Sequence, residues 1–378
     1  MMSKPYFILS LDGGGIRGLV TALILQKLEA KIQQHSPGKK LKDCFNLIAG
    51  TSTGSLIACG LSHGRSIDEI VNFYELESNY PQKIFPKSQL DLIPKSKVDI
   101  VIRAITNLVS SGYSQPMYDG KGLEEVLKEI FEKNTFKQLK IQTLVTSYDV
   151  YNGQAIVFNS KQDECETLPI WEVCRASAAA PVAFPAHILT DKTFLTYWKE
   201  DQKLKLTDSP DHQQKCIPLI DGGVAASNPT LCAVAEAIKG KNNLSDLVVA
   251  SFGSGEQETQ SMSVKDSRKW GAWEWINPFN DLPIFETFNE GSSDVIDHIT
   301  KSLVSHNYYR FQPYFEEKIS TFQATPENIN AIKQETSKYL NSPDIQERLN
   351  RLAVQLTSTA VSLSVEREKE LAAVSSLN

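Results

Sequence analysis

Along the chain, short apolar runs alternate with stretches whose apolar positions recur every three or four residues. "YFILSL" (6–11) predicts a strand, and Leu19, Ile24, Leu25, Leu28 and Ile32 mark a helix over 17–34. "FNLIAG" (45–50) predicts a second strand, followed by a helix that ends at Gly60 and Gly64. "LEEVLKEIFEK" (123–133) has an amphipathic helical spacing. After it, "IQTLVTSYDV" and "QAIVFNS" predict two strands turned at Asn152–Gly153. "PIWEVCRASAAA" (169–180) predicts a helix stopped by Pro181, and "CIPLI" (216–220) and "LSDLVVASFGSG" predict further strands. Strand, glycine-rich loop and helix in repetition predict an α/β protein with three α/β/α layers and a mainly parallel central sheet. In such sheets ligands bind beyond the carboxyl ends of strands, where three glycine-containing turns of this chain should gather.

Two segments break the alternation. Residues 85–115 hold two prolines and the apolar helix "VDIVIRAITNLV", which reads as extra packing in preference to a lid; 190–215 is polar and reads as a loop. The predicted organisation is one domain over 1–325, with 85–115 and 190–215 as insertions. A helical extension follows over 326–378, packed on the domain or trailing it and opening a helix at Ser342-Pro343.

Composition narrows the classes. A 41% hydrophobic chain of 378 residues has ample core material, and a net charge of −6 argues against a nucleic-acid polymer as partner. The cysteines (44, 59, 165, 174, 216, 232) have no metal-ligand or disulfide spacing, so no metal or cofactor is expected and a reducing compartment is. No signal peptide or membrane span is legible, which predicts a cytoplasmic protein that meets lipid only peripherally.

Candidate chemistry lies in the three turns. "GTSTG" (Gly50, Thr51, Ser52, Thr53, Gly54) is a G-x-S-x-G between strand and helix, which projects a serine hydroxyl at a helix start. None of the six histidines falls at a strand end beside a glycine turn; His63 lies eleven residues beyond Ser52. Asp221 does, closing a strand before Gly222 and Gly223. The residues leave open whether it is a base for Ser52 or the cap of a turn. "DGGGIRG" contains G-x-G-x-x-G (Gly13, Gly15, Gly18), which also describes a dinucleotide loop. The charge of Asp12 and the serine turn after the second strand weigh against that, so the amides of Gly13, Gly14 and Gly15, with Arg17, read as an oxyanion cradle.

In that order and spacing, "DGGGIRG" (12–18), "GTSTG" (50–54) and "DGG" (221–223) resemble the patatin-like phospholipases. So do "MYDGKGLEEVL" (117–127), "CRASAAAPVAFPAH" (174–187), "SFGSG" (251–255) and "NYYRFQ" (307–312), over most of residues 5–315. The resemblance implies an α/β/α lipid acyl hydrolase with a Ser52–Asp221 dyad, no metal, and phospholipid or lysophospholipid substrates at a membrane surface. An acyltransferase using the same acyl-enzyme, or a silent lipid-binding or signalling module, stays open, as does an unidentified regulatory ligand or partner. "KWGAWEW" (269–275) and the residues after it, with Trp270, Trp273 and Phe279, read as core cover in preference to a membrane-docking patch.

Overall fold

The computed structural model describes residues 4–86, 116–257, 268–271, 275, 283–317 and 319–358. In chain order, β1 (Tyr6–Leu11), α1 (Gly18–His35), β2 (Leu47–Gly50), α2 (Thr53–His63), α3 (Ile67–Phe73) and α4 (Tyr80–Ile84) come first. The middle of the chain forms α5 (Lys121–Phe131), β3 (Gln142–Asp149), β4 (Gln154–Asn159), α6 (Ile170–Ser177), β5 (His187–Leu189), α7 (Lys192–Glu200), β6 (Thr207–Asp208) and β7 (Lys215–Asp221). Then follow α8 (Gly223–Ala226), α9 (Thr230–Lys239), β8 (Leu247–Phe252), β9 (Glu256–Gln257), α10 (Pro283–Val304), β10 (Tyr308–Phe311), β11 (Tyr314–Phe315), α11 (Pro326–Asn341) and a last helix, α12, over 343–358.

Strand alternation explains the layers. In β1, Phe7, Leu9 and Leu11 enter a core with α1, α11 and α12, while Ile8 points to the opposite face and packs with Ala233 and Val234 of α9. A third cluster fills the space between α5, α6, α7 and the β3–β4–β7 end of the sheet. The main sheet runs β10-β8-β1-β2-β3-β7-β5, with β4 paired to β3 and β6 to β7. From β10 to β3 every pairing is parallel, as the sequence predicts for the centre of the sheet.

Beyond β3 the direction reverses. β4 and β7 both pair antiparallel to β3, and β5 to β7. Gly50 at the end of β2 lies opposite Val145, but β3 continues to Asp149, and the incoming β7 places Asp221 opposite Ser147. The third turn therefore reaches the same edge as the other two from the opposite direction.

The polar segment 190–215 is not a plain loop. Asp191 caps α7, its side chain accepting the Phe194 amide at 2.9 Å, and Phe194, Leu195 and Trp198 are buried. Trp198 Nε1 donates to the buried Asp149 Oδ2 at 3.0 Å, which ties this helix to the end of β3. The predicted helix at 98–109 lies outside the described residues, as do Trp273 and Phe279; Trp270 and Trp275 meet edge to face. No helix among the described residues is long and apolar enough to cross a membrane.

Helices α11 and α12 contribute Ile329, Ile332, Ile345, Leu349, Leu352 and Leu356 to the same core as β1 and α1. Leu349→Ala should lower the stability of the whole fold by about 2–5 kcal/mol, read as a lower urea midpoint in a single transition. An early separate transition, with the midpoint of the remainder unchanged, would show that these helices are not part of that core.

Candidate active site

Ser52 stands between β2 and α2 with φ 52° and ψ −122°, a left-handed-side backbone that an L-residue adopts only under constraint. The constraint is close packing. A Cβ on Gly50 would fall 2.3 Å from the Gly54 carbonyl oxygen, and one on Gly54 would fall 2.3 Å from that of Leu11. Neither glycine of the G-x-S-x-G can be replaced without moving backbone, so the turn is built as the spacing predicts. Thr51 helps fix it: its Oγ1 donates to the Ala226 carbonyl at 2.7 Å and lies 2.6 Å from Thr146 Oγ1. Thr53 Oγ1, one residue beyond Ser52, lies 2.6 Å from the Tyr74 hydroxyl.

Asp221 is 1% exposed. Its Oδ1 accepts the Gly223 amide at 2.7 Å, while Oδ2 has no hydrogen-bond partner of good geometry. Burial raises its pKa, the Ser52 hydroxyl and the Gly223 amide partly oppose that, and the net value is about 6. The Ser52 hydroxyl is thus among the groups that act on this carboxylate. Gly222 fits where no side chain would, since a Cβ there would fall 2.2 Å from Thr146 Oγ1.

Ser177, at the end of α6, joins the two turns. Its Oγ accepts the Ser52 amide at 2.9 Å, and its carbonyl accepts the Gly222 amide at 3.2 Å. Ala179 adds a bond from the Asp221 amide to its carbonyl at 3.0 Å. The sequence places Ser177 and Ala179 inside a helix over 169–180; the helix instead ends at Ser177, and the backbone beyond it turns to bond with the aspartate turn.

The glycine loop lies beside the serine: a Cβ built on Gly13 would touch Ser52 Cβ at 3.4 Å. Its amides are not equivalent. Gly13 N–H donates to the Ser227 carbonyl at 3.0 Å and Ile16 N–H to that of Thr321 at 3.0 Å. Among the described hydrogen bonds, the N–H groups of Gly14 and Gly15 have no acceptor. Arg17 is buried and turned toward α10, with Nη1 3.6 Å from Glu286 Oε1. The sequence argument from the charge of Asp12 does not hold as stated: Asp12 is paired with Arg310 of β10, Nη2 to Oδ2 at 2.6 Å, so it does not present a bare charge to the loop. What opposes a pyrophosphate is the engaged Gly13 amide and the apolar surface in front of Ser52.

That surface is a cleft lined by Ser52, Gly15 and Ile16 and walled by Leu56, Phe73, Leu123, Val126, Phe184 and Phe322. Among the described residues that line it there is no histidine. His187 pairs with Glu172 at 3.1 Å and His63 packs on Phe131, as ordinary structural residues. No group of three or more metal-ligating side chains occurs among the described residues.

Comparison with known proteins gives a consistent assignment. The family described as patatin-like phospholipase matches residues 9–234. Patatin-like protein 2 of Arabidopsis thaliana is 30% identical over 369 residues, covering 89% of this chain and 83% of that one. Patatin-like protein 2 of Oryza sativa subsp. indica is 29% identical, covering 82% and 76%. A potato protein named probable inactive patatin-3-Kuras 1 is 24% identical, covering 81% and 78%. The solved structure of VipD from Legionella pneumophila superposes with a TM-score of 0.39 at 14% identity, over 90% of this chain and 67% of that one. With 60% of its length matched by the family and a 30% identical relative spanning 89% of it, the chain belongs to the patatin-like phospholipases, a family of lipid acyl hydrolases.

Proposed function

We propose that the protein hydrolyses fatty acyl esters of phospholipids or lysophospholipids at a membrane surface, through an acyl-enzyme on Ser52. The observation that carries this is a buried carboxylate of raised pKa beside a serine on a strained turn, with the serine opening into an apolar cleft. A cleft of leucine, valine and phenylalanine side chains suits an acyl chain and offers nothing to a nucleotide phosphate.

In this reading Ser52 Oγ attacks the acyl carbonyl while Asp221 Oδ2 takes its proton. A pKa near 6 makes that carboxylate a stronger base than an exposed aspartate, without a histidine. The carbonyl oxygen, now charged, is met by the free amides of Gly14 and Gly15, with the positive end of α2 favouring charge at the same place. Protonated Asp221 gives its proton to the departing alcohol. It then removes one from water, which attacks the acyl-enzyme, and returns that proton to Ser52 Oγ as the fatty acid leaves.

Mixed phospholipid and lysophospholipid vesicles, analysed by mass spectrometry, test this. Wild type should release free fatty acid, and Ser52→Ala and Asp221→Ala should release none while remaining folded. Undiminished release by Ser52→Ala would overturn the reading. Added alcohol or thiol acceptors distinguish transfer from hydrolysis, since acylated acceptor in place of fatty acid would make the protein a transferase.

The pH dependence follows from the same carboxylate. Only ionised Asp221 accepts the proton, so kcat/KM should rise with pH through about 6 and then level. Glu290 on α10 is pushed up to about 7 by burial and by Glu286, but Glu290→Gln should leave that midpoint in place. Stability should move the other way. The folded pKa lies above the unfolded value, so ionising Asp221 costs the fold roughly 3 kcal/mol once the pH exceeds both. Asp221→Asn should therefore melt higher than wild type at pH 7, with the difference shrinking toward pH 4; an Asn variant less stable at pH 7 would refute the buried charge.

A further inference from the structure

The glycine loop is held at both ends, and within it the Gly14 carbonyl accepts the Arg17 amide at 3.0 Å. On one side Asp12 N–H donates to the Phe252 carbonyl at 3.0 Å, Gly13 N–H to that of Ser227, and Gly13 O accepts the Ser254 hydroxyl at 2.7 Å. On the other, Ile16 is bound to Thr321. Gly14 and Gly15 are the residues between, and theirs are the amides without acceptors. Those amides share peptide planes with the carbonyls of Gly13 and Gly14, which accept the Ser254 hydroxyl and the Arg17 N–H, and Asp12 is the residue that anchors the start of this bonded loop to the sheet edge.

Asp12 is fixed from the sheet edge by Arg310. The Arg310 guanidinium donates from Nη2 to Asp12 Oδ2 at 2.6 Å and to Ser293 Oγ at 3.0 Å, and from Nη1 to Ser251 Oγ at 2.9 Å. Thr230 Oγ1, at the start of α9, reaches both Ser251 and Ser10 at 3.1 and 2.8 Å, so three strands and two helices are joined around one cation. Both charged side chains are more than nine-tenths buried. A buried ion pair brings little net stability, because desolvation consumes most of the attraction, and an apolar pair of similar volume does as well or better. Strand β10 does not need the guanidinium for its place either, since its backbone pairs with β8 from Tyr308 to Phe311. What the pair supplies is direction: a guanidinium held through Nη1 on Ser251 places Nη2 on Asp12 Oδ2, tying the root of the loop to the sheet edge through one oxygen.

We propose that Arg310 is a positioning residue of the active site, which acts through Asp12 to aim the Gly14 and Gly15 amides at the oxyanion formed on Ser52. The inference rests on the oxyanion role given to that loop above. It also places a required residue of the site well beyond the segment 9–234 that the family matches.

The test uses Arg310→Met, Arg310→Lys, Asp12→Asn and the double variant Asp12→Asn/Arg310→Met in the full chain. Fluorophosphonate titration counts competent Ser52, and turnover of a water-soluble short-chain p-nitrophenyl ester is expressed per labelled site. An oxyanion made only in the transition state predicts a kcat loss of about tenfold or more with KM within about twofold. Binding of an acyl trifluoromethyl ketone, whose adduct carries the oxyanion, should weaken by a similar factor. Arg310→Lys should recover part of the loss, and the double variant should be no worse than Arg310→Met. A folded Arg310→Met with wild-type kcat per site, or a kcat loss with unchanged ketone affinity, would overturn the proposal. If Arg310→Met does not fold, the same split in Arg310→Lys and Asp12→Asn decides it. Turnover remaining in Ser52→Ala with this ester would instead sink the acyl-enzyme reading and leave the loop's brace a separate matter.

Discussion

Everything at the candidate site depends on β3 outrunning β2. Four strand ends lie level across the parallel sheet, Phe311, Phe252, Leu11 and Gly50, and β3, level with them at Val145, alone continues to Asp149. That extra length gives β7 an edge to pair with while running the other way, and it stops with Asp221 opposite Ser147. A β3 ending level with β2 would leave the carboxylate without a strand to deliver it. Ser177 then closes the remaining gap by bonding to the backbone of both the serine turn and the aspartate turn.

The site stores cost in three places. Ser52 has a backbone conformation worth about 1–3 kcal/mol of strain. Burial holds the Asp221 pKa up at about 6, and among the described hydrogen bonds the Gly14 and Gly15 amides have no acceptor. On the proposed mechanism the carboxylate and the two amides find their partners as a carbonyl on Ser52 becomes tetrahedral. Surrounding bonds keep them from relaxing beforehand, from Thr51 and Ser177 on the serine side to Ser227, Thr321 and Arg310 around the loop. The core that absorbs the cost extends through α11 and α12, which is why the C-terminal helices belong to the same packing unit as β1.

Local features of this arrangement were legible in the sequence. β1, α1 and the serine turn depend on short-range patterning and on glycines whose need is steric, and these formed where the spacing places them. Longer-range features were not. Nothing in "CIPLIDGG" encodes whether its strand pairs parallel or antiparallel, because direction is set by which neighbour offers a free edge. Asp12 read as a bare charge because its partner is nearly three hundred residues away on an edge strand. Gly13, Gly14 and Gly15 read alike, and only the position of Ser227 separates one engaged amide from two free ones. In 190–215 the signal was present in Phe194, Leu195 and Trp198 after Asp191, but the surrounding polar residues obscured it.

A crystal structure of the protein after reaction with an alkyl fluorophosphonate tests the central claim most directly. The account predicts phosphorus on Ser52 Oγ, its charged oxygen within hydrogen-bonding distance of the Gly14 and Gly15 amides, and the alkyl chain running along Leu123 and Val126. Gly13 N–H should remain on Ser227. An adduct on another residue, or one whose oxygen turns away from both amides, would contradict it.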